Sequence, residues 1–520
     1  MIRFDSVIVG SGFGGAVAAC RLAQAGERVL VLERGRRWNE RTYPSVTGRN
    51  WTFDVDEPER QNGWMDIRWF KDMAVVQGAG VGGGSLIYAN VSVAPPPATF
   101  DRGWPRVIDW NELAPFVDRV GEMLEVATIP ETQRTKRWGF VERGARKLGH
   151  SDRFSSLPLA VRFDADYDPR RLDDPQDERH AVTRVNVAGV EQGTCVHLGE
   201  CDMGCRVKAK NTLDLNYLAI ATANGAEIRP LHLVSRVEPS GAGWRVLYDE
   251  IGGGSRRSSS VEAKRVVLAA GSLGSTEIML RSRLAGVSAK LGHGWSANGD
   301  FLTPALSEED ADPTVGPTIS ACIDHTDGAE YGEHIFIQDG GMPNLLRTSV
   351  GSWHSRLPKR WQRRIQPLKD WADETGPLDN FMPWFAQGID ASDGRLHMRR
   401  RWLGLFGPQR LTLDWDIAHS ESTIEAIVKA HSELAKATDG QPLVAPTWTF
   451  FRDLITPHPL GGCNMADDQD RGVVDHAGRV FGAKGLCVAD GSIVPRAIGR
   501  NPSRTIAALA ERAVEHWLAD

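Results

Sequence analysis

Hydrophobic and polar positions at the start of the chain follow the periods of a strand, a helix and a second strand. Phe4–Val9 is a short hydrophobic run that predicts a buried strand. Residues 16–25 are mostly small and apolar and end at Gly26, which predicts a closely packed helix. Residues 28–32 predict a second buried strand. A glycine-rich turn joins the first strand to the helix, so this region resembles the first half of a nucleotide-binding unit.

Similar patterns continue over the rest of the chain. Apolar residues at helical spacing predict amphipathic helices over 110–126, 131–148 and 420–438. Further hydrophobic runs predict strands over 231–237, 244–248, 259–263, 265–270 and 486–489, and residues 256–260, after the glycines 252–254, predict a hairpin tip. A helix is expected from residue 275, and Asn501-Pro502 is expected to open a last helix that ends near residue 518. Residues 300–410 are irregular and rich in Trp, Pro, Gly and Asp, which predicts strands and long loops that shape a substrate site.

The turn after the first strand, Gly10-Ser11-Gly12-Phe13-Gly14-Gly15, fills the glycine positions of a G-x-G-x-x-G motif. We expect Gly10 to allow the tight turn, Gly12 to let the backbone approach a pyrophosphate, and Gly15 to let the helix pack close to the strand. The helix N-terminus then faces the phosphates. Glu33 ends the second strand, where its carboxylate can accept both hydroxyls of an adenosine ribose and would repel a 2′-phosphate. The motif predicts a site for FAD or NAD rather than NADP.

Elements typical of a nucleotide-binding domain return late in the chain. The strand over 265–270 runs into Gly271, and the strand over 486–489 runs into Asp490. One nucleotide-binding domain is therefore expected to form from separated segments, with the substrate region inserted between them. A compact NAD dehydrogenase usually keeps its Rossmann unit contiguous, so this layout favours a flavoprotein.

Length and composition restrict the possible classes of protein. The 520 residues are too many for one ordinary core, so two domains or a large two-part unit are expected. A net charge of -6 gives no reason to expect nucleic acid or an anionic membrane as a partner. No apolar run approaches the ~18 residues of a membrane span, and the first strand begins too close to Met1 to leave room for a signal peptide. We expect a cytoplasmic protein with no integral membrane segment.

Three of the seven cysteines, Cys195, Cys201 and Cys205, cluster around His197. Zinc or iron–sulfur ligation is one interpretation of this cluster. However, the spacing C-x5-C-x3-C matches no common metal pattern, and no second pair follows it. An odd number of cysteines also does not indicate a disulfide framework. Buried or loop thiols are favoured over metal ligands, and no metal is expected.

Several segments together resemble the glucose–methanol–choline (GMC) oxidoreductases. The segments similar to the FAD-contacting signatures of that family are the turn at 10–15, Gly80-Val81-Gly82-Gly83-Gly84-Ser85-Leu86-Ile87-Tyr88-Ala89-Asn90-Val91, and Ala269-Ala270-Gly271-Ser272-Leu273-Gly274-Ser275. The segments similar to the cholesterol-oxidase-like branch are Ala209-Lys210-Asn211-Thr212-Leu213-Asp214-Leu215-Asn216-Tyr217-Leu218, His458-Pro459-Leu460-Gly461-Gly462-Cys463 and Gly499-Arg500-Asn501-Pro502-Ser503-Arg504-Thr505-Ile506. They span the chain in the family order, whereas residues 300–450 resemble the branch only loosely.

The resemblance implies an α/β fold, α+β overall, with two domains. A Rossmann-like FAD-binding domain would comprise residues 1–100, 190–300 and 452–520. A substrate-binding domain with a mainly antiparallel sheet and helices would comprise 101–189 and 301–451. The FAD would be non-covalent, because the flavin-attaching histidine of some members would fall near residues 88–92, where this chain has no histidine. The residues that would bind FAD are Gly10, Gly12, Phe13, Gly14, Gly15, Glu33, Gly82, Gly83, Ser85, Asn90, Val91, Val234, Ala270, Gly271, Asp490, Asn501 and Pro502.

The resemblance also places His458 and Asn501 at the substrate side of the flavin ring. Oxidation of an alcohol removes a hydroxyl proton, and a histidine is a suitable acceptor for it. Asn501 would orient the substrate oxygen and, with Pro502, would also begin the last helix. The N-terminus of that helix carries partial positive charge, which would stabilise an anionic reduced flavin. Other residues with weaker claims to the pocket are Trp384, Phe385, Gln387 and Trp415, which are as well explained as core.

One segment departs from the cholesterol-oxidase-like pattern. In cholesterol oxidases a Phe-x-Glu segment ahead of Met-Pro supplies the carboxylate that moves a proton during double-bond isomerisation. The corresponding substrate-side residues here are Phe336 and Gln338, followed by Met342-Pro343. The carboxamide of Gln338 does not titrate in the working range. Asp339 is adjacent, but in a strand it would point to the opposite face. Isomerase activity, and cholesterol itself as the substrate, are therefore in doubt.

The sequence predicts FAD-dependent oxidation of a bulky apolar alcohol, such as a sterol, steroid or terpenoid, to a carbonyl. The electron acceptor stays open between oxygen and another molecule, because no residue in the sequence distinguishes the two. Three alternatives stay open: a non-oxidative GMC-type enzyme such as a lyase or photodecarboxylase, an NAD(P)-linked dehydrogenase, and a flavin-binding protein without catalysis. The presence of both His458 and Asn501 argues against the last of these.

Overall fold

The structure is a computed structural model that describes residues 4–44, 50–343, 378–400, 409–443 and 454–519, with the single residue Gln362. The strands in these ranges are β1 (Phe4–Val9), β2 (Val29–Leu32), β3 (Thr52–Phe53), β4 (Met65–Trp69), β5 (Met73–Gly78), β6 (Phe154–Ser156), β7 (Arg184–Val185), β8 (Glu191–Gln192), β9 (Glu227–Arg229), β10 (His232–Ser240), β11 (Gly243–Glu250), β12 (Arg257–Leu268), β13 (His293–Trp295), β14 (Phe301–Ser307), β15 (Ala321–His325), β16 (Ile335–Asp339), β17 (Phe381–Gly388), β18 (Gly394–Arg400), β19 (Gln409–Asp414), β20 (Gly440–Pro442), β21 (Leu454–Thr456) and β22 (Leu486–Val488). The α-helices are α1 (Phe13–Gln24), α2 (Trp110–Met123), α3 (Lys136–Lys147), α4 (Tyr217–Ala223), α5 (Gly271–Ser282), α6 (Glu421–Ala437) and α7 (Ser503–Ala519).

A seven-stranded sheet carries the glycine-rich turn. Its parallel part has the order β22-β12-β1-β2-β9, so strands from the beginning, the middle and the end of the chain lie side by side. β10 and β11 extend the sheet as antiparallel strands. β1, β2, β22 and the second half of β12 are mostly buried and hydrophobic, and α1 packs between the sheet and the helices α4 and α7. The Rossmann-like unit is therefore assembled from separated segments.

A second, six-stranded sheet is wholly antiparallel, in the order β20-β14-β17-β16-β15-β6. α6 packs on one face of this sheet, and α3 packs against α6. A smaller sheet in the order β21-β5-β4-β3 contains the strand just before His458 and the strand just before the loop at 80–84. The mixed α/β fold class, with a mainly antiparallel second sheet, is confirmed.

Most predicted elements are present, and the differences have local causes. The strands 259–263 and 265–270 are one strand, β12, because its first half pairs with β11 and its second half with β1 and β22. The helix expected over 131–148 begins only at Lys136, where the Thr135 side chain accepts from the Trp138 amide. Helix α5 begins at Gly271, four residues before the expected start. Helix α7 begins at Ser503, because the first i→i+4 hydrogen bond of the helix runs from the Ile506 amide to the Pro502 carbonyl.

No helix within the described residues is both long and apolar enough to cross a bilayer.

Candidate active site

A cavity of about 690 Å³ lies where the parallel strands β1, β2, β12 and β22 end. Ligands of open α/β sheets bind at this edge, outside the carboxyl ends of the strands. The lining continues from the dinucleotide turn to the loops before α7 and after β21. The predicted site residues that line it are Gly10, Gly12, Phe13, Gly14, Glu33, Gly83, Val91, Val234, Ala270, Gly271, His458, Asp490, Asn501 and Pro502.

The turn between β1 and α1 can hold a pyrophosphate because its glycines have no side chains that would fill the cradle, and the Ser11 hydroxyl is turned onto Glu33. Gly10 has a φ of +96°, and a Cβ there would lie 2.3 Å from the Ala269 carbonyl oxygen. At Gly14 a Cβ would lie 1.4 Å from the carbonyl oxygen of Ala489, so α1 touches the end of β22 directly. Gly15 lies behind the lining and faces the Gly10 carbonyl, which is the close helix–strand contact predicted for it. These residues fit the phosphates of FAD.

Glu33 ends β2 with its carboxylate beside the turn. Its Oε2 accepts from the amide and the hydroxyl of Ser11, at 3.0 Å and 2.6 Å, and its Oε1 accepts from the Gly35 amide at 2.8 Å. A carboxylate has about four acceptor positions, so one position remains for a ribose hydroxyl. These bonds also fix the orientation of the carboxylate, because the side chain is 4% exposed.

The loop at 82–91 contributes to the cavity through Gly83 and Val91. Three residues expected to bind the cofactor, Gly82, Ser85 and Asn90, are not in the cavity lining. The Ser85 hydroxyl donates to the Gly82 carbonyl, and it accepts from the Leu213 amide at 3.1 Å. Asn90 is fully buried with a φ of 65°. Neither amide atom of its side chain has a hydrogen-bond partner within the described part of the chain. An unsatisfied buried carboxamide between two lining residues fits contact with a bound cofactor.

Asp490 connects the end of β22 to the start of α5. Its Oδ2 accepts from the Gly271 amide and the Ser275 hydroxyl, while its Oδ1 accepts from the amide and the hydroxyl of Ser492. Burial raises the pKa of this carboxyl despite those four donors. These four donors fill the acceptor positions of the carboxylate, so Asp490 shapes the cavity wall and joins the end of β22 to α5.

His458 follows β21 directly and is held by a buried carboxylate. Its Nδ1 lies 2.9 Å from both oxygens of Asp300, whose side chain is fully buried. The Thr456 hydroxyl accepts from the His458 amide at 2.9 Å and lies 2.6 Å from Asp300 Oδ2. Because a carboxylate only accepts, Nδ1 carries the proton and Nε2 keeps a free lone pair. The arrangement leaves Nε2 as the ring nitrogen that can accept from a ligand in the cavity.

Asn501 lies two residues before α7, next to Gln338 of β16. The Gln338 carboxamide donates its Nε2–H to Asn501 Oδ1 at 2.6 Å. That bond occupies the acceptor of Asn501, so its Nδ2–H donors are available to a ligand oxygen in the cavity. Gln338 is fully buried and does not line the cavity, so it reaches the site through Asn501 rather than through direct contact with a ligand.

The other residues proposed for the substrate side separate into two groups. Phe385 lines the cavity, and its ring centroid lies 6.2 Å from that of His458. Phe336 was expected to face the substrate but lies in the core, with the Arg500 guanidinium 4.8 Å from its ring centroid. Trp384 is fully buried in the core, and Trp415 packs edge-on against the Trp295 ring. Gln387 is also fully buried and shares the Phe385 face of the sheet without lining the cavity.

Asp339 points away from Asn501, as strand alternation predicts. Its carboxylate accepts from the amides of Ser320 and Ala321 and from the Ser320 hydroxyl, and it lies 3.7 Å from Arg137 Nε. It is fully buried, which raises its pKa against the opposing effect of the Arg137 charge. This carboxylate joins β15 and β16 and does not face the cavity.

Sequence reasoning missed Asp300 and Thr456. Asp300 falls at the start of a segment that looked irregular, and the residue it contacts, His458, lies 158 positions later. The sequence pattern that could have drawn attention to Asp300 is Asn298-Gly299-Asp300, which is typical of a tight turn between two strands. A turn pattern predicts backbone shape, but it does not show which distant side chain the turn will contact.

The cysteine cluster is connected to the loop at 82–91 by Lys210, whose Nζ donates to the carbonyls of Leu86 and Cys201. Cys195 is buried, and the Cys205 thiol accepts from the Ala209 amide at 3.2 Å. Burial raises the pKa of the Cys205 thiol to about 11. Within the described ranges, no group of three or more His, Cys, Asp or Glu side chains is arranged to hold a metal ion.

Comparisons with known proteins identify the family of the chain. Residues 179–298 and 391–510 match the two family models described as GMC oxidoreductase, and residues 8–55 match the model described as NAD(P)-binding Rossmann-like domain. A cholesterol oxidase of Acinetobacter baumannii is 30% identical over 99% of this chain and 94% of its own. A long-chain-alcohol oxidase of Arabidopsis thaliana is 24% identical over 98% of this chain and 66% of its own.

The crystal structure of pyridoxine 4-oxidase from Mesorbium loti shares the fold. It superposes with a TM-score of 0.64 at 17% identity and covers 99% of both chains. The glycine cradle, the parallel sheet built from three parts of the chain and the full-length similarity to cholesterol oxidases lead to one conclusion. The chain belongs to the GMC oxidoreductase family, in its cholesterol-oxidase-like branch, and is an FAD-dependent oxidoreductase.

Proposed function

We propose that this protein oxidises a bulky, largely apolar alcohol to a carbonyl, with non-covalent FAD, His458 as proton acceptor and Asn501 as the residue that orients the substrate oxygen. The observation that carries the proposal is the pairing of His458 with buried Asp300 in the cavity that also contains the dinucleotide turn and Asn501. When bound, FAD supplies a hydride acceptor. The residues of the chain supply binding, orientation and proton transfer.

Proton transfer falls to His458 Nε2. Asp300 fixes the imidazole with Nδ1 protonated, so the free lone pair of Nε2 is the basic position. When Nε2 takes the hydroxyl proton of the alcohol, the ring becomes positively charged. The Asp300 carboxylate stabilises that charge because it is fully buried, where screening by water is weak. An arrangement of this kind typically contributes about 10²–10⁴-fold to the rate.

Asn501 is suited to donate to the alcohol oxygen. Its own acceptor is taken by Gln338, which leaves the Nδ2–H group for a ligand. A donor on the oxygen and a base for the hydroxyl proton together fix the direction of the carbinol C–H bond. Asn501 also precedes α7, whose N-terminus favours negative charge in the cavity.

The cofactor proposal rests on the glycine cradle and the absence of an attaching residue. Gly10, Gly12 and Gly14 would hold the pyrophosphate, Glu33 the ribose, and Val234 the adenine. Between residues 88 and 92 the chain reads Tyr-Ala-Asn-Val-Ser, without a histidine that could form a covalent flavin bond. In domain terms, residues 1–100, 190–300 and 452–520 would bind FAD, and residues 101–189 and 301–451 would surround the substrate.

The substrate proposal follows from the apolar lining and from the relatives. Val91, Ile319 and Phe385 line the cavity, and the Phe385 ring centroid lies 6.2 Å from that of His458. Relatives named cholesterol oxidase and long-chain-alcohol oxidase act on large apolar alcohols, which supports a sterol, steroid, terpenoid or fatty alcohol here. The oxidase names also support oxygen as the electron acceptor. Isomerisation is not expected, because Gln338 does not titrate and Asp339 is bound to Ser320 and Ala321.

The test is anaerobic bleaching of the flavin against a panel of alcohols. We expect at least one apolar alcohol to bleach the visible flavin band in the dark and to yield a carbonyl. NAD(P) should have no effect, and fatty acids in the light should give no hydrocarbon. A protein that leaves every alcohol unchanged while light releases hydrocarbon from a fatty acid would overturn the proposal in favour of a non-oxidative enzyme.

A further inference from the structure

The turn at 296–300 is shaped by a buried carboxylate on another segment. Asp390 accepts from the Ser296 hydroxyl through Oδ1 at 2.8 Å. Its Oδ2 accepts from the amides of Ala297 and Gly299 at 2.7 Å and 3.3 Å. Asp390 is 6% exposed, so these bonds are shielded from water. The turn therefore has a fixed shape before any ligand binds.

One side of this turn holds His458. Ser296 and Leu460 exchange two backbone hydrogen bonds of 3.0 Å, and Leu460 lies two residues after the histidine. Asp300, at the end of the turn, accepts from His458 Nδ1. The Thr456 hydroxyl lies 3.0 Å from the Ala297 carbonyl. The segment that carries His458 is thus attached to the turn on both sides of the histidine.

The other side of the turn holds the segment that leads to Asn501. The carboxamide of Asn298 is fully buried, and its Oδ1 accepts from the amides of Ile498 and Gly499 at 2.9 Å and 3.0 Å. Its Nδ2 donates to the Arg500 carbonyl at 2.9 Å. All three backbone groups belong to the three residues immediately before Asn501. A carboxamide is suited to this task because it offers an acceptor and donors on one short side chain.

We infer that Asn298 is a positioning residue that sets Asn501 relative to His458. It joins the two segments because its own turn is bonded to the His458 segment while its side chain is bonded to the Asn501 segment. The inference rests on the proposed function, since it assigns the distance between the proton acceptor and the donor to the substrate oxygen. Losing the Asn298 side chain leaves three backbone groups without these partners, so the segment that carries Asn501 can shift. A displacement of about 1 Å at a reacting centre costs about 100-fold in rate.

The backbone of Asn298 allows a clean test. Its φ is 58°, in the left-handed region that glycine adopts without strain, so Asn298→Gly removes the side chain and keeps the turn. Asp439→Gly is the matched control, because Asp439 has a φ of 56°, also precedes a glycine, and lies at the end of α6. Asn298→Asp is the second variant: it keeps the two bonds to Ile498 and Gly499 and places an acceptor against the Arg500 carbonyl.

We expect Asn298→Gly to reduce kcat about 100-fold, with KM within threefold and unchanged FAD content, while Asp439→Gly keeps full activity. In the Asn501→Ala background, Asn298→Gly should cost less than threefold further, because Asn298 acts through Asn501. Hydrogen exchange at Ile498 and Gly499 should accelerate in Asn298→Gly and stay slow in Asn298→Asp. Should the glycine variant not fold, the aspartate variant carries the test, with an expected loss of at least tenfold in kcat.

Full activity of either folded variant, or losses that multiply in the double variant, would overturn the positioning role alone. A wild-type protein that oxidises no alcohol would instead overturn the proposed function and, with it, this inference. The two failures are therefore distinguishable in one set of experiments.

Discussion

Replacing Asp300 with asparagine should leave His458 in place but protonated on the wrong nitrogen. The Thr456 hydroxyl lies 2.6 Å from Asp300 Oδ2, and His458 Nδ1 lies 2.9 Å from both carboxylate oxygens. In Asp300→Asn the single remaining oxygen faces Thr456, so the new NH₂ group faces Nδ1. The imidazole then accepts at Nδ1 and carries its proton on Nε2, where the alcohol proton has to go.

The size of the effect follows from charge and geometry. Two unit charges about 4 Å apart attract by about 4 kcal/mol at the effective dielectric constant of a protein site, and 1.36 kcal/mol is a factor of ten. The cost of burying the charges offsets part of this attraction, so about 10³-fold is an upper bound on the loss from the missing charge. The wrong tautomer adds to that loss. We expect flavin reduction by alcohol to slow by 10³–10⁴-fold in Asp300→Asn.

The assay is the anaerobic rate of flavin bleaching in a stopped-flow instrument, at saturating alcohol. Asp339→Asn is the control, because it also replaces a fully buried carboxylate but one that faces away from the cavity. We expect both variants to lose stability and only Asp300→Asn to lose rate. Flavin reduction within threefold of the wild-type rate in folded Asp300→Asn would refute the reasoning.

Four further predictions concern the base, the cofactor, the product and stability. His458→Ala should bind FAD normally and reduce it about 10²–10⁴-fold more slowly; a loss below fivefold would return His458 to a structural role. Acid precipitation should release a yellow flavin into the supernatant, whereas flavin retained in the pellet would mean a covalent link. A Δ5-3β-hydroxysteroid oxidised by the wild type should yield the unconjugated ketone, without the ultraviolet absorbance of a conjugated enone; rapid enone formation by the wild type would reveal a base that reaches the substrate. Burial lowers the pKa of His431 from 6.5 to about 3. As pH falls below about 6.5, the unfolded chain takes up a proton at this residue that the folded chain does not, so the free energy of unfolding decreases. Compared with the wild type, His431→Phe should flatten the fall in unfolding free energy between pH 6 and pH 4 by up to about 1.4 kcal/mol per unit in urea titrations, and an unchanged slope would contradict this.

Local patterns predicted the parts of the fold that depend on neighbours in sequence. The glycines at 10–15 determine a turn and a helix start within six residues, so the cradle was predictable from its motif. By contrast, β12 reads as two strands in sequence, because its halves differ in polarity. It is one strand because its partners change from β11 to β1 and β22 along its length.

The site was predictable only as far as its motifs extend. His458 and Asn501 came from the resemblance, and the structure brings both to one cavity. Asp300 and Asn298 act through contacts 158 to 202 positions away, which no local pattern reports. Phe336 lies in a strand, as expected, but its ring does not face the cavity. The Arg500 side chain covers that ring and comes from the loop before α7, which no local pattern reports.

The central claim is that the cavity residues take a proton and orient a carbinol for hydride removal. The most direct measurement is a single anaerobic turnover with an alcohol deuterated at the carbinol carbon, following flavin bleaching and carbonyl product together. We expect one carbonyl for each flavin bleached, slower bleaching with the deuterated alcohol, and both signals slowed by about 10²–10⁴-fold in His458→Ala. Bleaching without a carbonyl product, or equal rates in His458→Ala and the wild type, would contradict it.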